Sequence, residues 1–234
     1  MKREAVLKNK LAHRCIIVAE VSSNHGQDFN RAIALIKKAK ECGADAVKFQ
    51  TYTADTMTLD SDRRCFRVKH PKWGGQTLYQ LYKDSYTPWK WFKKLKRAAD
   101  DLGMLFFSTA FDRTAVDFLE DLGVSMHKIA SFELSDLPLI EYMAMTRKPL
   151  VISTGMATPA EIKEVMKVAK RNGVKDIILL KCVSSYPAMP ADMNLMTISH
   201  MKKMFRCQVG LSDHTLGIGV SIGAVSLGAQ MIEK

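Results

Sequence analysis

The chain has 234 residues, 47% of them hydrophobic, which is ample for a buried core in one large domain or two small ones and makes a globular fold the expectation. Its five cysteines, Cys15, Cys42, Cys65, Cys182 and Cys207, form no CxxC pair and no cluster with histidines, which excludes a zinc knuckle or a disulfide framework and suits a reducing cytoplasm. The formal net charge of +11 admits nucleic acid, an anionic surface or a phosphorylated small substrate as partner. The basic residues, however, are interleaved with acids in segments such as "KKLKRAADD" and never alternate with aromatics, so nucleic acid is not expected.

In chain order, residues 1–14 form a basic extension with no apolar run behind it long enough for a signal peptide. No later segment reaches the length of a membrane span, so a cytoplasmic protein without a membrane partner is expected. Strands are predicted at 16–21, 46–51, 105–110, 126–131, 150–155, 177–182, 208–213 and 230–234, and helices at 29–42, 88–102, 112–121, 137–145, 159–172, 194–205 and 217–228. Gly43, Gly103, Gly123, Gly173 and Gly228 sit where helix C-termini should fall, and Thr158 followed by Pro159 and Glu161 reads as a helix start. No linker or low-complexity tract divides residues 15–234, which read as one domain. Near-continuous apolar strands alternating with helices mark an α/β protein with a covered parallel sheet, and eight units predict a TIM (β/α)8 barrel, with a doubly wound open sheet as the alternative. The longest insertion, 52–87, contains "KHPKWGGQTLYQLYKDSYTPW", too aromatic for a disordered loop, and is expected to fold over one end of the barrel.

In a parallel barrel the chemistry sits at the C-terminal strand ends. Here those ends are polar: Glu20 with Ser22, Ser23, Asn24 and His25; Lys48 and Gln50, two apart and so on one face; Ser108 and Thr109; Lys128 and Ser131 with Glu133 beyond; Ser153 and Thr154; Ser184, Ser185 and Tyr186; Ser212, Asp213 and His214. A lone strand-end Ser, Thr or Asp is most often a helix cap, and Asp213 reads equally well as one. A lysine inside an apolar strand is harder to explain structurally, because burying an unpaired ammonium costs several kcal/mol. Lys48 and Lys128, with hydroxyls and Gly-flanked turns around them, make an anion site suited to a phosphate. Glu20 and Glu133 are then free for proton transfer or for sugar hydroxyls. His214 could be a base, a structural histidine or a metal ligand.

Six segments in order, "IVAEVSSNHGQDFNRAIALIKKAKECGADAVKFQTYTADT", "FFSTAFD", "HKIASFEL", "ISTGMAT", "KCVSSYP" and "VGLSDHTLG", resemble the sialic acid synthase family. That family condenses phosphoenolpyruvate with an N-acetylated amino sugar. The likeness runs from about residue 15 to the last residue, and "WGGQTLYQLYKDSYTPWKWF" looks most like the pseudaminic type, with N-acetylneuraminate or legionaminate synthesis as the alternative.

The resemblance implies Lys48, Thr109, Lys128, Ser131, Ser153, Ser184 and Ser212 around phosphoenolpyruvate, and Glu20, Gln50, Phe111, Glu133 and Tyr186 around the sugar. It makes Glu20, Lys48 and Lys128 the catalytic groups and His214 one of two histidines that hold manganese or magnesium. The second would follow Lys234, as would the last barrel helix and a small antifreeze-like domain that reaches across a homodimer. The chain is therefore expected to be the N-terminal portion of a longer enzyme, binding metal weakly and turning over slowly or not at all. Two rival readings are an aldolase or isomerase on the same barrel, and a truncated barrel kept for binding.

Overall fold

Eight short parallel strands pair in sequence order in the computed structural model, which describes residues 14–69 and 74–234. They are β1 (Ile16–Glu20), β2 (Ala46–Thr51), β3 (Leu105–Ala110), β4 (His127–Ile129), β5 (Leu150–Ser153), β6 (Ile177–Lys181), β7 (Gln208–Ser212) and β8 (Met231–Glu233). Strand β8 returns to β1, with Ile16 opposite Met231, so the sheet closes and no edge is left unpaired. The predicted (β/α)8 barrel is present, and the open-sheet alternative is excluded by that pairing.

Helices α1 (Phe29–Glu41), α4 (Phe92–Asp101), α5 (Arg113–Leu122), α6 (Leu137–Met145), α7 (Pro159–Arg171), α8 (Met196–Phe205) and α9 (Gly219–Ser226) cover the outside. Two short helices, α2 (Ala54–Met57) and α3 (Leu78–Ser85), lie within the insertion after β2. Helix boundaries follow local chemistry. Thr158 caps α7 in a reciprocal box with Glu161, and Pro159 occupies the first turn. Helix α5 ends on Gly123 at φ 74°, a left-handed position that a side chain would strain.

Several boundaries are shorter than the sequence reading, and two differ in kind. The predicted helix from 88 begins as a 3-10 turn, Trp89–Trp91, and becomes α-helical at Phe92, and the Trp89 ring packs on Phe118 at 4.6 Å. Strand β4 is half its predicted length, since the chain leaves the sheet after Ile129 and forms a 3-10 turn at Phe132–Ser135. The basic extension expected over 1–14 lies outside the described residues, save Arg14, which forms an ion pair with Asp45 at the start of β2.

Side-chain parity organises the core in two shells. Residues of one parity, including Ile16, Val18, Phe107, Val151, Leu180 and Met231, fill the barrel. Their neighbours, including Val47, Phe49, Phe106, Ile152, Val209 and Ile232, pack outward against the helices. The inward parity continues at the C-terminal ends, where it turns polar. Pairing of Glu20 with Lys48, Gln50 with Thr109, Thr109 with Lys128, and Ser212 with Glu233 sets these groups side by side.

The insertion packs beside that end, as expected. Gln27 of the β1 loop donates to the Tyr86 carbonyl at 2.8 Å, the buried His25 meets Thr87 Oγ1 at 3.0 Å, and Trp89 Nε1 donates to the Tyr52 carbonyl at 3.1 Å. No helix among the described residues is long and apolar enough to cross a membrane.

Gly210 in β7 marks the tightest point of closure, because a Cβ there would lie 2.3 Å from the Met231 carbonyl oxygen of β8. Gly210→Ala is expected to destabilise the barrel by about 1–3 kcal/mol. A lowered urea midpoint checks this.

Candidate active site

The polar layer at the C-terminal end opens into a cavity of about 460 Å³. Its centre is a buried charge cluster. Lys48 Nζ forms a 2.6 Å ion pair with Glu20, donates to Thr109 Oγ1 at 3.2 Å and lies 3.8 Å from Glu233 Oε1. Lys128 Nζ donates to Ser153 Oγ at 2.6 Å and to the Ile129 carbonyl at 3.0 Å. The lysines are 4% and 2% exposed, so both ammonium groups are buried.

Burial pulls on each member, and the neighbours decide the outcome. For Lys48, burial alone would lower the pKa, but Glu20 and Glu233 more than offset it and hold the ammonium above its ordinary value. Lys128 is lowered by burial, with Lys48 adding to the effect. Burial works to raise Glu233, yet Lys128 and Lys48, followed by the Ser212 hydrogen bond, keep it ionised. Glu20 has fewer supports: burial outweighs Lys48, Glu233 repels it, and its carboxyl is pushed up to about 7. One ammonium between two carboxylates stabilises charge on one of them better than on both.

A second group of donors adjoins Lys128. Ser131 Oγ accepts from the Gly155 N–H at 3.1 Å and lies 3.1 Å from Cys182 Sγ. A Cβ at 155 would stand 2.5 Å from Ser184 Oγ and 2.8 Å from Cys182 Sγ, so glycine is needed here for space. Together these groups form a small polar cradle.

His214 stands on the rim after β7. Its Nδ1 donates to the Val183 carbonyl at 2.7 Å, and its ring stacks on exposed Tyr186 at 4.2 Å. Because a carbonyl only accepts, Nδ1 carries a proton, and in the neutral tautomer Nε2 would point its lone pair toward Ser212, 3.3 Å away. Ser212 has one proton and Glu233 Oε1 takes it at 3.1 Å, which leaves Nε2 without a donor. That nitrogen is suited to one coordination position of a divalent metal. Among the described residues, no three His, Cys, Asp or Glu side chains converge to hold an ion, so the set does not make a complete metal site. Asp213, considered above as a helix cap, instead receives Thr215 N–H and Oγ1, Ser221 Oγ and Lys234 Nζ, which tie the β7 loop to α9 and β8.

Of the residues named from sequence, Glu20, Lys48, Gln50, Thr109, Lys128, Ser131, Ser153, Tyr186, Ser212 and His214 line this cavity. Ser184 sits behind Gly155, Phe111 packs on Tyr52, and Glu133 lies in the 3-10 turn after β4; these three do not line the cavity. Glu233 and Cys182 line it and were not singled out. The inward parity of "MIEK" was the available signal for Glu233. A wider cleft of about 800 Å³ opens elsewhere, beside the loops that precede β5 and β6, and is lined by Arg147, Arg171 and Lys175. It lies at the C-termini of α6 and α7, where the helix dipoles disfavour anions, and it is remote from the charge cluster.

A parallel (β/α)8 barrel with buried ammonium groups, carboxyls and hydroxyls at its C-terminal mouth defines a protein built to handle a polar, anionic small molecule. The chain belongs to the NeuB family, which it matches over residues 35–234. It is 44% identical over 218 residues to a pseudaminic acid synthase of Helicobacter pylori, covering 93% of this chain and 64% of that protein. It is 41% identical over 221 residues to the pseudaminic acid synthase of a Campylobacter jejuni strain, covering 94% and 64%. The crystal structure of N-acetylneuraminic acid synthetase from Leptospira borgpetersenii, in complex with citrate, superposes with a TM-score of 0.84 at 32% identity, covering 95% of this chain and 73% of that one. The chain thus spans about 64% of the length of these curated relatives.

The Glu20 carboxyl, held near 7, gives a direct test. The native state keeps this proton more tightly than an unfolded chain, whose glutamate titrates near 4.5, so ionising Glu20 costs stability as the pH rises from about 4.5 to about 7. Infrared difference spectra between pH 6 and pH 8 should show a protonated-carboxyl band lost on raising the pH. The band should be missing in Glu20→Gln.

Proposed function

We propose that this chain is the barrel of a phosphoenolpyruvate-dependent nonulosonic acid synthase, whose sugar is 2,4-diacetamido-2,4,6-trideoxy-altrose and whose product is pseudaminic acid. The observation that carries the reading is the pair of buried lysines, Lys48 and Lys128, each backed by a hydroxyl and facing one cavity. Buried ammonium groups add little net stability to a fold, and this pair matches a ligand with a phosphate and a carboxylate close together. The relatives named pseudaminic acid synthases support the choice of sugar.

In this reading Lys128, Ser153 and the Ser131–Gly155–Ser184 cradle hold the phosphate, and Lys48, Thr109 and Ser212 hold the remainder of phosphoenolpyruvate. Gln50, Phe111, Glu133 and Tyr186 surround the open-chain sugar. The methylene carbon of phosphoenolpyruvate attacks the aldehyde carbon, forming the C–C bond while Glu20, neutral at the start, gives its proton to the aldehyde oxygen. Water then adds to the electron-poor C2, and the Glu20 carboxylate takes the released proton. Breaking the bond between C2 and the bridging oxygen, with the C2 hydroxyl proton passing to the departing phosphate, expels inorganic phosphate and leaves the 2-keto acid. Glu233 remains ionised and offsets the positive charge that develops at C2. A divalent ion, if held, would take His214 as one ligand and act as a Lewis acid, and it would need ligands beyond those described.

Phosphoenolpyruvate carrying oxygen-18 at its bridging position should yield labelled phosphate, in amounts that depend on the diacetamido sugar and less on N-acetylmannosamine. Unlabelled phosphate would mean P–O cleavage and would sink the mechanism. Release without preference between the sugars would favour the N-acetylneuraminate type.

Phosphoenolpyruvate binding tests the site independently of turnover. Removing one charge-assisted contact costs about 1.5–3 kcal/mol, so Lys128→Met or Lys48→Met should weaken calorimetric affinity about 10- to 100-fold. Unchanged affinity in either variant would remove that lysine from the phosphate site.

A further inference from the structure

Every phenylalanine, tyrosine and tryptophan among the described residues is at least partly buried except two, Phe132 and Tyr186, which are 59% and 65% exposed. Both line the cavity at the barrel mouth. Tyr186 is engaged by its ring contact with His214. Phe132 opens the 3-10 turn after β4, next to Ser131 of the small polar cradle, and Ala130 lines the same wall on the other side of that serine. Phosphate chemistry uses neither Ala130 nor Phe132.

Single apolar side chains scattered over a surface need no explanation. Here the two exposed rings are gathered on one cavity, while the other described aromatics are drawn into the protein. An exposed ring forgoes the gain that burial brings, and an apolar part of a bound molecule would restore it.

The barrel ring selects which part. Glu20 ends β1 and His214 follows β7, the two strands beside β8, so the aldehyde end of the sugar lies on that side of the mouth. Strand β4 stands four places from β8 in the ring of eight, directly across from it. An open-chain sugar extended across the mouth therefore brings its last carbon to Phe132. In 2,4,6-trideoxy sugars that carbon is a methyl group. In N-acetylmannosamine it carries a hydroxyl, which a phenyl face strips of water without offering an acceptor.

We propose that Phe132 is a specificity-determining residue, whose ring takes the C6 methyl of a 6-deoxy sugar and disfavours a C6 hydroxyl. This rests on the reading of the cavity as an amino-sugar site.

Saturation-transfer NMR of the chain, without phosphoenolpyruvate, compares 2,4-diacetamido-2,4,6-trideoxy-altrose with its 6-hydroxy counterpart, 2,4-diacetamido-2,4-dideoxy-altrose. The parent should bind the 6-deoxy sugar about three- to tenfold more tightly, and the C6 methyl should receive more saturation than either acetyl methyl. Phe132→Ala should bring that preference below about twofold by weakening the 6-deoxy sugar alone, whereas Phe132→Leu, which keeps apolar surface, should retain most of it. Tyr186→Ala, on another part of the mouth, should weaken both sugars by the same factor. Equal affinity of the parent for the two sugars, a preference that survives Phe132→Ala, one lost equally in Tyr186→Ala, or a parent that holds neither sugar would overturn the assignment. Phosphoenolpyruvate titrations of the same samples separate the two levels. It should bind Phe132→Ala as it binds the parent, and its loss there would place the ring in the phosphate site instead. If it binds the parent, a negative sugar result sinks the role of Phe132 alone; if it does not, the amino-sugar synthase reading falls as well.

Discussion

The placement of two ammonium groups inside a closed sheet is the constraint on which the rest of the structure depends. Lys48 is tolerable in the barrel only because Glu20 and Glu233 flank it, and these come from strands β1 and β8. The three strands adjoin only when β8 pairs with β1. The ion cluster and barrel closure are therefore one event: an open sheet would leave Lys48 with one carboxylate and Glu233 with none beside it but Ser212. Burial of charge here stabilises little by itself, but it penalises every arrangement in which the partners are apart.

Much of this was legible in the sequence, because parity and periodicity are local. The interval of two between Lys48 and Gln50 fixed their common face, and Gln50 Nε2 indeed reaches Glu20 Oε1 at 3.3 Å. Helix α6 falls at its predicted residues, and β2 and β3 at theirs. The role of Glu233 was not legible. Its inward parity in the predicted strand 230–234 was readable, but only the return of β8 to β1 puts it against Lys48. Asp213 was ambiguous for the same reason, since its donors Ser221 and Lys234 come from two later elements. Glu133 follows β4, but the early end of that strand places it in a 3-10 turn and off the cavity lining. No local pattern marks where a strand will leave a sheet.

The rim around His214 shows how irregular backbone is held as firmly as a strand. Val183 fixes the ring from one side, Tyr186 covers its face, and the neighbouring Asp213 binds three residues of separate segments. The orientation of one imidazole is thereby set by β6, β7, α9 and β8 together. Loops so tied act as extensions of the sheet, which suits a site whose groups must hold their positions while a ligand enters.

The central cluster also balances: Lys48 and Lys128 carry two positive charges, and Glu20 and Glu233, when both are ionised, carry two negative ones. A cavity of this kind projects almost no field beyond its mouth. Among the described residues, excess positive charge lies instead on outer surfaces such as α7, with Lys163, Lys167, Lys170 and Arg171. Long-range attraction and final selection are thus separated in space. The exterior gathers anions of any kind, and its pull fades as salt is added. The interior admits only a molecule able to exchange its own groups for the carboxylates already in place, a discrimination that salt scarcely touches.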